Sequence, residues 1–187
     1  LDILDTNELH PLLASYVKEM QQKMTEVKSV LDRVSVLAKV VPNLLGYPQE
    51  KTYLFLLENY NELRPTGGFI GTVGILKVQD AEIVSFETRN VYELDIAAEG
   101  KRLETAPDPI KKYLDVDALY LRDANWSPDF AVAADEVEKL FNKEAALSGT
   151  PFSPQNFDGV IAITPKVIHD FLSLAGAVEI DGFIFNA

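Results

Sequence analysis

Two hydrophobic periods divide the chain. Between residues 12 and 41, apolar side chains recur at alternating spacings of four and three: Leu13, Val17, Met20, Met24, Val27, Leu31, Val34, Ala38 and Val41. Such spacing keeps one apolar stripe on one side of a helix, the seam of a heptad repeat. Lys18, Glu19, Lys23, Glu26, Lys28 and Asp32 lie beside it. Thr6 or Asn7 suits the cap, Pro11 the first turn, and Pro42 with Gly46 the end. At 1.5 Å per residue the helix is about 45 Å long. The plain expectation is a helix packed on the domain or paired with another helix. The sharper one is a stalk leading from a membrane anchor that the chain no longer carries.

From Thr52 the period shortens. Tyr53–Leu57 is a continuous apolar run of strand length, as a central strand requires. Phe69–Val78 is a second strand, Gln79-Asp80-Ala81 a turn, and Glu82–Thr88 the alternating partner of a hairpin. Residues 90–112, acidic and carrying Pro107 and Pro109, are expected to form a long surface loop. Ala118–Arg122 reads as a short strand. Ser127-Pro128-Asp129 reads as a helix start, with Ser127 as the cap and Pro128 in the first turn. Phe130, Ala133, Ala134, Val137, Leu140 and Phe141 mark the buried face of that helix, to about Lys143. A loop at 148–157 precedes a strand at Gly159–Ile163. Thr164-Pro165 opens a helix that Gly176 closes. Strands at Ala177–Ile180 and Phe183–Phe185 flank an Asp181-Gly182 turn. This alternation predicts an α/β fold, a mixed central sheet with covering helices. The division is residues 1–47 for the long helix and 48–187 for the α/β domain, with the last strand starting as the chain stops.

Composition narrows the function classes. The 187 residues are 47% apolar and 25% charged, the balance of a globular protein. No run of 18 apolar residues is present, so no helix is expected to span a membrane. The first residue is Leu rather than Met, so a trimmed or processed chain is expected, one that leaves room for a removed targeting or anchoring segment. Cysteine is absent, excluding disulfides, thiol catalysis and thiolate metal sites. A net charge of −12 repels phosphate backbones, and there is no basic stripe with interleaved aromatics, so no nucleic-acid partner is expected.

Several constellations look chemical, and most have a structural explanation. Gly67, Gly68, Gly71 and Gly74 run into a strand rather than opening a helix, so they make neither a P-loop nor a dinucleotide fingerprint. They fit a bulge or tight turn. His10 and His169 each lack a second histidine at ligand spacing. Asp115 and Asp117 flank Val116, which on a strand puts both on one face as a solvated strand start or a metal pair. The most informative set is three arginines at strand ends: Arg64 after Glu62 in NYNELRPTGGFIG, Arg89 in TRNVYELD, and Arg122 in LYLRDANWSPD, crowded by Asp123, Asn125 and Trp126. Arginine suits a bidentate grip on phosphate or carboxylate. At one edge of a sheet the three would converge over it, where open α/β sheets bind ligands. Alternatively, each pairs locally with an acid and stabilises the fold.

NYNELRPTGGFIG, TRNVYELD, RDANWSPDF and FDGVIAI, in that order, resemble the bacterial family catalogued as domain of unknown function 4012. The resemblance runs from about Tyr53 to Ile180. The layout is also similar, more distantly, to the LytR-CpsA-Psr enzymes, which move glycopolymers from a polyprenyl-pyrophosphate carrier onto the cell wall. There a core strand leads to an acid-x-Arg motif, a hairpin ends in Arg-Asp, and a Gly-Val-Glu-Val-like strand comes later. Glu62 and Arg64, Arg89, and AGAVEI at 175–180 stand at the matching places. That resemblance implies catalytic roles for Glu62, Arg64 and Arg89; the arginine set adds Arg122, Asp123 and Asn125 as ligand contacts, with Gly67, Gly68 and Asn90 beside the motifs as further ones. Mg²⁺ is the cation the resemblance implies. The chain departs from the pattern where Arg-Ser-Asp is replaced by a Gly-rich apolar stretch and the Asp after the hairpin arginine is Asn90, which makes a poorer Mg²⁺ site.

The expected function is an extracytoplasmic, membrane-anchored cell-envelope domain binding a polyprenyl-phosphate or glycopolymer ligand, with or without phosphotransfer. The alternative is a non-catalytic interaction or assembly module. In either case the heptad helix offers a surface for self-association.

Overall fold

The computed structural model describes residues 11–101, 104–147 and 149–187. The caps expected at Thr6 or Asn7, and His10, lie outside these residues. Helix α1 runs from Pro11 to Leu44. Pro42 sits in its last turn, where few ladder hydrogen bonds remain to be lost. Gly46, at φ +79°, closes the helix as the Tyr47 N–H donates to the Pro42 carbonyl over 2.8 Å. Residues 22–44 are exposed throughout, so the apolar seam has no cover among the described residues.

The sheet has the order β3-β2-β1-β4. β1 (Lys51–Asn59) is antiparallel to β2 (Phe69–Gln79) and parallel to β4 (Gly159–Ile163), and β3 (Glu82–Asn90) is antiparallel to β2. It is therefore mixed, as expected. The β2–β3 turn is made by Asp80 and Ala81, both at positive φ, as a two-residue hairpin turn demands. Leu54 pairs with Ile75 and Leu56 with Val73, so these four share one face and are buried.

Helix α4 (Phe130–Ala145) and a 3₁₀ helix (Leu121–Trp126) supply the other side of the core, through Val137, Leu140, Phe141, Leu121 and Ala124. Burying a side chain such as Phe141 completely contributes roughly 2–3 kcal/mol. On the opposite face Phe55 and Phe86 meet edge to face at 5.0 Å. The chain ends in α5 (Pro165–Ala175) and a separate hairpin of β5 (Val178–Ile180) and β6 (Phe183–Phe185), whose apolar side chains are exposed.

Four local expectations are corrected. Residues 90–112 are not an irregular loop: α2 (Tyr92–Ala98) and α3 (Asp108–Leu114) lie there. Their short apolar faces, Leu94 with Ala98 and Ile110, are buried, and tertiary burial outweighs the acidic surroundings. No strand forms at 118–122. Ala118 makes an isolated bridge to Thr105, and the chain then turns into the 3₁₀ helix. Asp115 and Asp117 therefore do not share a strand face; Asp115, at φ 55°, ends α3. Finally, the cap of α4 is Asp129 rather than Ser127. Asp129 Oδ1 accepts from the Ala131 N–H at 2.9 Å, while Ser127 Oγ accepts from the N–H of Asp129.

Candidate functional site

The polar residues of interest gather where β1 ends and the chain turns into NYNELRPTGG. Glu58, on the same face as Leu54 and Leu56, is 2% exposed. Its Oε1 accepts from Thr66 Oγ1 at 3.1 Å and from Asn125 Nδ2 at 3.0 Å. Asn125 Nδ2 also reaches the Gly68 carbonyl at 2.7 Å. Burial raises the Glu58 pKa, and the Asn125 and Thr66 hydrogen bonds oppose that rise. Asn125 from the 3₁₀ helix thus ties the loop back onto the strand it left. Two glycines make the close return feasible. A Cβ on Gly68 would lie 2.3 Å from the Asn59 carbonyl oxygen, and one on Gly67, at φ +139°, 2.7 Å from Glu58 Oε2.

A second cluster adjoins the first. Arg64 and Arg122 converge on Asp123, whose Oδ1 is 3.2 Å from Arg64 NH2 and whose Oδ2 is 3.4 Å from Arg122 Nε. Arg122 NH1 also donates to Asp95 Oδ2 at 2.8 Å. Both aspartates are buried. Glu144, on the covered face of α4, accepts from the Leu121 N–H at 2.9 Å. Burial first, then the charge of Asp95, pushes its pKa up to about 8, so at neutral pH it keeps its proton. Asp95 Oδ1 and Glu144 Oε2 have no other hydrogen-bond partner, and a proton donated from Glu144 to Asp95 satisfies both. Burial also raises the Asp95 pKa, against the pull of Arg122.

The guanidinium groups stack as well as pair. Arg122 lies 4.4 Å from the ring centroid of Tyr120 and 5.5 Å from that of Tyr92. Arg64 lies 5.6 Å from that of Phe69. Beside Arg122 opens a cleft of about 200 Å³ lined by Tyr92, Asp95, Ile96, Glu99, Tyr120 and Arg122. With Arg64 and Arg122 balanced by Asp95 and Asp123, and Glu144 neutral, the cluster carries no excess positive charge. It offers hydrogen-bond donors and acceptors beside aromatic faces.

Of the residues singled out from the sequence, Arg64, Arg122, Asp123, Asn125, Gly67 and Gly68 come together in these two adjoining networks. Glu62 and Arg89 do not join them: both are exposed, Glu62 accepting from Asn59 Nδ2 at 3.2 Å and Arg89 donating to the Thr88 carbonyl at 3.0 Å. Asn90 ends β3 just ahead of α2, its Oδ1 accepting from the Tyr92 N–H while its own N–H donates to Glu93. His169 is exposed on α5. Among the described residues no three His, Asp or Glu side chains gather as a metal site would require.

Sequence reasoning missed Glu58, Thr66, Tyr92, Asp95, Tyr120 and Glu144. Two of them had a signal. Glu58 continues the i, i+2 face of Leu54 and Leu56. Glu144 follows Val137, Leu140 and Phe141 on the buried face of α4. Asp95 had none, because α2 itself was not recognised.

Residues 48–186 match the model of a family described as a protein of unknown function, DUF4012. No curated protein and no solved structure matches. With that match covering well over half of its length, the chain belongs to the DUF4012 family.

Proposed function

We propose that the domain binds a glycopolymer non-covalently in the Tyr92–Tyr120–Arg122 cleft, as a ligand-binding unit of the cell envelope. The observation that carries this reading is the state of Arg122. Its charge is matched by Asp95 and Asp123, and it lies between two tyrosine rings at the cleft edge. Such an arrangement favours sugar hydroxyls, which give and take hydrogen bonds, over a pyrophosphate, which needs uncompensated positive charge. Tyrosine faces suit the apolar side of a sugar ring. The cleft is smaller than the 300–1,000 Å³ that encloses a drug-sized ligand, and so suits one ring of a longer chain. The envelope setting rests only on the sequence resemblance to the LytR-CpsA-Psr enzymes, in which Arg64 and Arg89 stand at motif positions. A polyprenyl phosphate carrier on the glycopolymer is compatible with the reading, and phosphotransfer is not required by it.

The test is calorimetric titration with a cell-wall glycopolymer, the same polymer on polyprenyl pyrophosphate, and polyprenyl phosphate alone, each with and without Mg²⁺. Wild type, Tyr92→Ala and Arg64→Ala are compared. Tyr92 is half-exposed, so its truncation leaves the fold intact. Binding of both glycan ligands, lost in Tyr92→Ala, is expected. Polyprenyl phosphate binding equally well, lost in Arg64→Ala and kept in Tyr92→Ala, would replace this reading with a phosphate site. No binding by any of the three leaves the interaction module.

A further inference from the structure

The seam of α1 is a long, regular apolar feature without cover among the described residues, and its order of side chains says what covers it. In heptad terms Val17, Met24, Leu31 and Ala38 hold the a positions, and Met20, Val27, Val34 and Val41 the d positions. Met20 and Leu31 are 64% and 60% exposed. From Val17 to Val41 the seam runs about 36 Å. Half-exposed aliphatic side chains over that length offer an area of the order of the 800 Å² per partner that a stable interface needs.

We infer that α1 pairs with α1 of a second copy of this chain in an antiparallel coiled coil. Three features of the sequence choose the direction. In an antiparallel pair each a residue meets a d residue, and one register pairs Met20 with Ala38, Met24 with Val34, and Leu31 with Val27. Long side chains then face short ones, filling the layers evenly. In a parallel pair Ala38 meets its own copy and leaves a void, while Met24 crowds Met24. Second, parallel dimers favour β-branched residues at a and Leu at d. Here valine occupies d at 27, 34 and 41. Third, a parallel pair sets Lys23 at g against Lys28 at e of its partner twice, whereas the antiparallel pair keeps one like-charge contact, Lys28 with its own copy. The g positions also carry Val30 and Leu37, both more than half exposed, which widen the apolar stripe.

The chain has no cysteine, so introduced thiols report the pairing without background. Mild oxidation of the full chain is compared for Ala38→Cys, Met20→Cys and the Met20→Cys/Ala38→Cys double variant. A covalent dimer is expected from the double variant and not from either single. Cross-linking of Ala38→Cys alone to the same extent would overturn the antiparallel assignment. Sedimentation of the cysteine-free protein supplies the second measurement. Met24→Lys/Leu31→Lys is expected to weaken the dimer at least tenfold while leaving thermal unfolding of the α/β domain in place, since both side chains are exposed. A protein monomeric at about 100 μM, or a dimer indifferent to the two lysines, would overturn self-pairing.

Discussion

Helix α1 and the carboxyl end of β1 handle water in opposite ways. α1 has the most regular apolar pattern in the chain, and that pattern is exposed. The end of β1 is ringed by charged and amide side chains, and Glu58, Asp95, Asp123, Asn125 and Glu144 there are all buried. Periodicity reports which side chains share a face, and does not report what that face meets. A regular helix with its seam in water leaves that face open, which is the basis of the pairing inferred above. An irregular polar cluster out of water draws its counter-charges and most of its hydrogen bonds from within the fold, although Arg64 Nε and Asn125 Oδ1 have no partner there.

The most severe way to break the contrast is to remove the hub of the buried cluster. Arg122→Met leaves Asp95 and Asp123 buried without the partner they share, and is expected to cost about 3 kcal/mol in a urea unfolding titration. A loss below 0.5 kcal/mol would mean that water already reaches these groups. Asn125→Ala comes next. It strips the Gly68 carbonyl and Glu58 of a buried donor and frees the NELRPTGG loop, for an expected loss of about 2 kcal/mol.

Glu144→Gln sharpens the comparison through pH. In the unfolded chain Glu144 ionises near 4.5, whereas in the folded protein it holds its proton to about 8. Across that window the native state binds more protons, so stability falls as pH rises, by up to about 1.4 kcal/mol per pH unit from this group. Glutamine can still accept from Leu121 and donate to Asp95. The variant is therefore expected to lose less stability than wild type between pH 5 and pH 8 in thermal melts. A residual slope of the same sign remains from Asp95 and Glu58, whose pKa values burial also raises. An unchanged slope would place Glu144 in contact with solvent. The smallest effect belongs to Glu62→Ala and Arg89→Ala, expected to shift stability by less than about 0.5 kcal/mol because both side chains are exposed. Loss of glycopolymer binding in either variant would move the site away from the Tyr92 cleft.

Much of the framework was legible. Strands β1 to β4, the heptad helix and α5 follow from period and punctuation, since burial of one face leaves a repeating mark. Residues 92–98 were not legible as a helix, because seven residues give too short a pattern to stand out from their acidic neighbours. The strand expected at 118–122 failed because an apolar run of that length fits a buried 3₁₀ turn equally well. Two of the three arginines meet, and they do so on acids of the fold, as the local-pairing alternative expects. Arg64 and Arg122 meet over Asp123, while Arg89 keeps to the exposed edge strand β3.

The sequence alone determined the two periods, the turn at Asp80-Ala81, the glycines at 67 and 68, and the membership that motifs such as NYNELRPTGGFIG disclose. These are local properties, decided by spacing and backbone freedom within a few residues. The tertiary structure decided which charges meet. Arg64, Asp95, Arg122 and Glu144 come from four separate elements, and whether an arginine grips a ligand or a neighbour depends on distances that no spacing along the chain records. It decided the state of Glu144 too, for a carboxyl group keeps its proton to pH 8 only when the fold withholds water from it.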